Sequence, residues 1–147
     1  MTLLPSTAQG KDEGANSNTG NFSPPGGGSC KAEPEPPVFE TTTLNLLHCN
    51  LNGWATHSAE LYGHLALEGF PDLVAVNETK LDKSTETLKL PGYTLCSRRD
   101  RSSGAGGVAL FAKDGLAQTV VHLADSETHE RSWHLVHTTQ GPLLLCV

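Results

Sequence analysis

Apolar and polar positions follow three different rhythms along this chain. From Thr41 it runs Thr-Thr-Thr-Leu-Asn-Leu-Leu-His-Cys, with β-branched or apolar side chains on both faces of an extended segment. That pattern predicts an inner strand over 43–50, covered by other elements, and makes His48 a satisfied core residue. Asn50-Leu51-Asn52-Gly53 then supplies turn formers. Leu61, Tyr62, Leu65 and Ala66 recur at helical spacing behind Thr56 and Ser58, either of which suits an N-cap. Gly63 weakens this helix by ~1 kcal/mol relative to Ala, and Gly69-Phe70-Pro71 stops it. Leu73-Val74-Ala75-Val76 is a short continuous apolar run of the kind that forms a buried strand. A strand, a helix and a second strand joined by a right-handed crossover make 43–50 and 72–77 parallel neighbours. Asn50, Asn52 and Glu78 then gather at the C-terminal ends of the pair.

Beyond Glu78 the extended segments shorten, to 93–98, 107–113, 117–123, 131–138 and 143 onward. Lys113-Asp114-Gly115 and Gln140-Gly141-Pro142 provide hairpin-like turns between them. One βαβ unit followed by antiparallel meanders predicts a mixed-sheet α/β sandwich. The run Leu143-Leu144-Leu145-Cys146-Val147 has no turn after it, although an apolar strand needs partners at its edges and cover on its faces. The expectation is a domain left unfinished at Val147.

Composition changes this picture mainly at the N-terminal end. Residues 1–40 hold six of the nine prolines and six of the fifteen glycines, and their only aromatics are Phe22 and Phe39. They read as a disordered Pro/Gly/Ser-rich leader, leaving 41–147 to fold. The longest apolar runs, 108–112 and 143–147, have five residues, far short of the ~20 that a membrane helix needs. Neither a basic n-region nor an Arg-rich transit pattern opens the chain, so the expected location is intracellular, nuclear or cytoplasmic, and not secreted. Cys30, Cys49, Cys96 and Cys146 are scattered without a Cys-x-x-Cys pair and read as free thiols.

The formal charge of −6 argues against a generic nucleic-acid coat, but charge is unevenly spread. Lys80, Lys83, Lys89, Arg98, Arg99 and Arg101 face only Asp82, Glu86 and Asp100 within the same stretch. Such a local surplus suits a solvated loop face or a phosphate-contacting rim, for which Lys80, Arg98, Arg99 and Arg101 are the candidate contacts. Glu78 stands where a hydrophobic strand opens onto a loop, a place that holds a charge only if water, a donor or a cation meets it. Mg²⁺ binds through one or two carboxylates with waters and phosphate oxygens, so a lone Glu suits it; pairing with Lys80 or solvent is the plainer alternative. The amides of Asn50 and Asn52 can bond a metal-bound water or a phosphate oxygen, or can act simply as turn residues. None of the seven histidines makes a good general base, and His134 and His137 point to opposite faces of one strand.

Asn50-Leu51-Asn52-Gly53, a modest helix, and then Pro71-Asp72-Leu73-Val74-Ala75-Val76-Asn77-Glu78-Thr79-Lys80-Leu81 resemble the opening of the endonuclease/exonuclease/phosphatase superfamily. The likeness is greatest to its apurinic-endonuclease-like branch in non-LTR retrotransposons. Leu90-Pro91-Gly92-Tyr93, Gly106-Gly107-Val108-Ala109-Leu110-Phe111 and Glu130-Arg131-Ser132-Trp133-His134-Leu135-Val136 follow in the order and spacing of such domains. The resemblance implies a partial four-layer α/β sandwich of the DNase I-like type, with mixed sheets and truncated to its N-terminal part. It implies a Mg²⁺ (or Mn²⁺) cofactor held by Glu78, with Asn50 near the metal and scissile phosphate and DNA as partner. Asn52 falls where relatives that process abasic sites often have a metal-binding Asp.

Hydrolysis of a phosphodiester at such a site needs a polarised phosphate, an attacking water and a base. The family places its catalytic Tyr, an Asp-x-Asn pair and a terminal Asp-His pair beyond the strand at which this chain ends. The resulting expectation is a fragment of a Mg²⁺-dependent phosphodiesterase or endonuclease, of retroelement origin and inactive without the missing C-terminal half. One alternative is a non-catalytic relic or interaction module. Another is a phosphatase or sphingomyelinase-like member of the same superfamily.

Overall fold

The computed structural model describes residues 37–38, 43–85, 87–101 and 104–147. All the elements belong to one compact unit, Pro34–Val147. The expected leader lies outside the described residues except for Pro37 and Val38, as do Thr41, Thr42 and Glu86. In chain order the elements are β1 (Leu46–Asn50), α1 (Trp54–Leu67), β2 (Leu73–Asn77), β3 (Tyr93–Arg99) and β4 (Val108–Lys113). A 3₁₀ turn (Ala117–Thr119), β5 (Val120–Asp125), β6 (Ser132–Thr138) and β7 (Gly141–Cys146) follow.

The expected βαβ opening is present. β1 and β2 run parallel with Leu46 opposite Leu73 and Asn50 opposite Asn77. Antiparallel strands complete a mixed sheet of order β1-β2-β4-β3, and a second, wholly antiparallel sheet has the order β5-β6-β7. The fold is thus mixed α/β with two sheets.

Three layers result from the period-two alternation of the central strands. Val74 and Val76 of β2, with Ala109 and Phe111 of β4, face α1 and pack on Leu61, Leu65 and Trp54. The Trp54 and Phe111 rings stack at 5.2 Å. Leu73, Ala75, Leu110 and Ala112 point the other way, onto Val136 of the second sheet. Leu65, Val74, Val76, Leu110 and Phe111 are fully buried. Each such side chain contributes roughly 1.5–3 kcal/mol of transfer free energy. Tyr93 fastens β3 to the turn before β2, its hydroxyl donating to the Pro71 carbonyl at 2.7 Å.

Several expectations are corrected. β1 is an edge strand, not an inner one, and begins at Leu46. Leu47 and Cys49 pack toward α1, whereas Leu46, His48 and Asn50 are exposed, so His48 is not a core residue. The second sheet lies against β2, β4 and β3 and leaves that face of β1 open. α1 starts at Trp54 behind Gly53, ahead of both Thr56 and Ser58, and no side chain caps it. Its first amides are met by another loop: Gly53 and Trp54 donate to the carbonyls of Glu78 and Thr79 at 2.8 and 2.9 Å. At the other end, the Phe70 amide closes onto Leu65 O at 2.8 Å around Gly69 in the left-handed region. Residues 117–119 form the 3₁₀ turn because both the amide and the hydroxyl of Thr119 return to Leu116 O.

β7 pairs with β6 alone among the described residues, and Leu143 and Leu144 stay about half exposed. No described helix is long and apolar enough to cross a membrane.

Candidate functional site

The C-terminal ends of β1 and β2 carry two loops that hold each other. In the first, Asn50 Oδ1 accepts the Asn52 amide at 3.1 Å, an Asx turn that admits Asn52 to φ 53°. In the second, Glu78 and Lys80 also adopt positive φ, 56° and 54°. Left-handed backbone at a non-glycine residue is strained, and it persists only where the surroundings over-determine it. Here they do. The carbonyls of Glu78 and Thr79 take amides from 53 and 54, while the amides of Thr79 and Lys80 donate to Gly107 O and Gly106 O at 3.3 and 2.8 Å.

The third element is the turn Gly106-Gly107 before β4, with φ of 70° and 90°. Its amides point at acidic side chains. Gly106 donates to Glu78 Oε2 and Gly107 to Glu130 Oε2, each at 3.0 Å. Both glycines are required by close approach as well as by φ. A Cβ at Gly106 would stand 2.3 Å from Glu130 Oε2, and one at Gly107 would stand 2.3 Å from Thr79 Oγ1.

The expected residues therefore share one end of the sheet, but their side chains divide. Asn50 and Asn52 line a groove of about 430 Å³ beside β1 and α1. Lys80 Nζ donates to Asn52 Oδ1 at 2.5 Å, which places an ammonium where a ligated cation would need that oxygen. Asn50 Oδ1 is likewise committed to a backbone amide. Glu78 bonds Gly106 rather than Lys80, and no described group takes its Oε1. The side-chain oxygens of its neighbours Asn77 and Thr79 are buried without a hydrogen-bond partner among the described residues. Carboxylate, amide and hydroxyl oxygens are hard donors suited to Mg²⁺ or Mn²⁺. No described cluster of three or more His, Cys, Asp or Glu could form a metal cage.

The basic candidates separate as well. Arg98 is 13% exposed; it donates to Asp100, to Thr85 O and to Asp82 O, all at 2.7 Å, so its guanidinium braces the 82–85 loop. Arg99 and Arg101 instead line a groove of about 380 Å³ with Glu127, Thr128, His129 and Glu130. Arg101 Nε pairs with Glu130 Oε1 at 3.1 Å. Among the thiols, burial pushes Cys96 up to about 11 and raises Cys49, which keeps both protonated and poorly nucleophilic.

Two features were invisible in the sequence. Glu130 read only as the start of a strand segment, and nothing local relates it to Glu78 across more than fifty positions. The glycine pair was noticeable, but only coordinates show both amides turned toward carboxylates.

No protein-family model matches this chain, and no curated protein does. Solved structures do show likeness. A 3′-5′ exonuclease (NExo) from Neisseria meningitidis is 16% identical with a TM-score of 0.45, and an AP endonuclease from Archaeoglobus fulgidus is 21% identical with a TM-score of 0.45. A 3′ phosphatase NExo from Neisseria, bound to a product DNA hairpin, is 15% identical at 0.45. In each case 69% of this chain aligns, and the chain spans about two fifths of the other's length, 40%.

Proposed function

We propose that this chain is part of a Mg²⁺-dependent phosphodiesterase of the endonuclease/exonuclease/phosphatase superfamily, acting on DNA and closest to its retroelement branch. One observation carries the reading. Glu78 ends a buried parallel strand in strained backbone, one carboxylate oxygen fixed by Gly106 and the other without a described partner. Strain of this kind collects at functional positions.

A divalent ion held at Glu78 would supply polarisation of a phosphate oxygen. The chain's own groups supply the rest of the setting. Gly106 N–H fixes the rotation of the Glu78 carboxylate, Lys80 offers an ammonium beside Asn52, and Arg99 and Arg101 present positive charge to a strand's phosphates. Asn50 holds the first loop in place through the Asn52 amide. The described His–carboxylate pairs are His57 and His64 with Glu60 on α1, and His122 with Asp125 on β5, and none of these histidines bonds Glu78.

The test is plasmid nicking with Mg²⁺. The 147-residue chain should leave supercoiled DNA intact yet retard it in a gel. Glu78-dependent nicking would contradict the proposed incompleteness, and absence of any DNA binding would contradict the assigned substrate. The Lys80–Asn52 hydrogen bond favours one second reading, a non-catalytic interaction module, because it occupies an oxygen that a metal site would use. That reading predicts DNA binding indifferent to Mg²⁺.

A further inference from the structure

Glu78 and Glu130 come from different strands' ends, yet their carboxylates hang from consecutive amides of one dipeptide. Gly106 N–H holds Glu78 Oε2 and Gly107 N–H holds Glu130 Oε2, both at 3.0 Å. The same dipeptide accepts the amides of Thr79 and Lys80 through its carbonyls. Its backbone is thus the only hydrogen-bonded support on that side of the Glu78 loop among the described residues. We infer that Glu130 is a positioning residue for Glu78: by fixing the Gly106-Gly107 peptide plane it sets the orientation of Gly106, whose own amide holds the Glu78 carboxylate.

Two further interactions make Glu130 a suitable anchor. Its second oxygen is gripped by Arg101 at 3.1 Å, so the side chain is held at both oxygens and is 27% exposed. Gly106 leaves no room for a side chain between itself and that carboxylate, the Cβ position lying 2.3 Å from Oε2. Both residues of the dipeptide have positive φ, and the Gly107 amide finds its acceptor only in Glu130 among the described residues. Without an acceptor at Gly107 the turn could reorient, and the Gly106 amide would move with it. Outer groups that orient a metal-binding side chain typically change affinity by 10–100-fold when removed.

This inference rests on Glu78 being the cation-holding residue, and the test separates the two claims. Mn²⁺ binding to the full chain is followed by loss of the free-ion paramagnetic resonance signal, at a temperature where circular dichroism shows every variant folded. The variants are Glu78→Gln, Glu130→Ala and Glu130→Gln. Gln keeps an acceptor for Gly107 but loses the charge, whereas Ala loses both. The expected result is Mn²⁺ binding by the wild type, abolished in Glu78→Gln and weakened about tenfold in Glu130→Ala. Glu130→Gln should be weakened clearly less than Glu130→Ala, since its one amide oxygen still accepts from Gly107 although its NH2 no longer accepts from Arg101. Wild-type affinity in Glu130→Ala would overturn the positioning role and leave the Glu78 assignment standing. Equal weakening by Ala and Gln would assign Glu130 a purely electrostatic effect and overturn it too. Binding by Glu78→Gln as tight as the wild type, or none by the wild type, would overturn the cation reading and this inference with it.

Discussion

Ser97 Oγ lies 2.6 Å from Nε2 of His134, and this hydrogen bond joins one sheet to the other. A β-bulge between Leu95 and Ser97 makes it possible. Leu95 faces α1's side of the sheet, whereas Cys96 packs toward the second sheet and Ser97 bonds there as well, instead of alternating back. Bulges re-aim side chains in this way.

Acid should loosen that junction. His134 is fully buried, and its pKa is lowered first by burial and then by the neighbouring His122, against opposing effects of Asp125 and the backbone at Leu145 and Ser132. The unfolded chain takes up the proton near the ordinary value of 6.5 while the folded chain resists it. Stability is therefore complete above that pH and declines as pH falls toward the folded-state value, at up to ~1.4 kcal/mol per unit. Urea midpoints between pH 7.5 and 5 should fall for the wild type and fall less for His134→Gln. Parallel curves would show that another group controls the slope.

Two glycine replacements should act in opposite directions. Gly63 lies inside α1 and a Cβ there meets nothing within 4 Å. Gly63→Ala should stabilise by about 1 kcal/mol. Gly107 has φ +90° and its Cβ would meet Thr79 Oγ1 at 2.3 Å, so Gly107→Ala should cost about 2 kcal/mol or more. Chemical denaturation reads both, and a stabilising Gly107→Ala would mean that the Thr79 loop is not packed as described.

The arginines should separate into a structural one and two that touch ligand. Replacing both Arg99 and Arg101 by Ala should weaken DNA binding and lower the slope of log K against log salt by about two, since each guanidinium neutralises one phosphate. Arg98→Ala frees the carbonyls of Asp82 and Thr85 and leaves Asp100 without its partner. It should destabilise by about 3 kcal/mol with the salt slope unchanged. An unaltered slope in the double variant would remove Arg99 and Arg101 from the interface.

How far the sequence reveals this arrangement depends on the range of each interaction. The continuous run at 73–76 placed β2 correctly, with Glu78 just past its end, because burial on both faces demands uninterrupted apolar side chains. The run at 43–50 looks similar but belongs to an edge strand, since sequence does not show how far the second sheet extends beneath it. The start of α1 was misplaced because its cap is a neighbouring loop rather than Thr56 or Ser58. The position of Glu78 at the end of a buried strand was legible, whereas the Lys80–Asn52 and Gly107–Glu130 hydrogen bonds exist only through tertiary packing.

The second sheet should make the chain self-associate. β7 offers an unpaired edge among the described residues, and Leu144 on it is 57% exposed. Sedimentation should show mass rising with concentration, and Leu144→Lys should shift the distribution to monomer. A wild-type chain that stays monomeric at high concentration would count against an open edge.

The central claim is that Glu78 grips a divalent ion. Crystals of the chain soaked in Mn²⁺ and measured at an energy where manganese scatters anomalously give the most direct test. An anomalous peak about 2.1 Å from a Glu78 carboxylate oxygen, absent from Glu78→Gln crystals, is the predicted result. Density at another site, or none at Glu78, would contradict it.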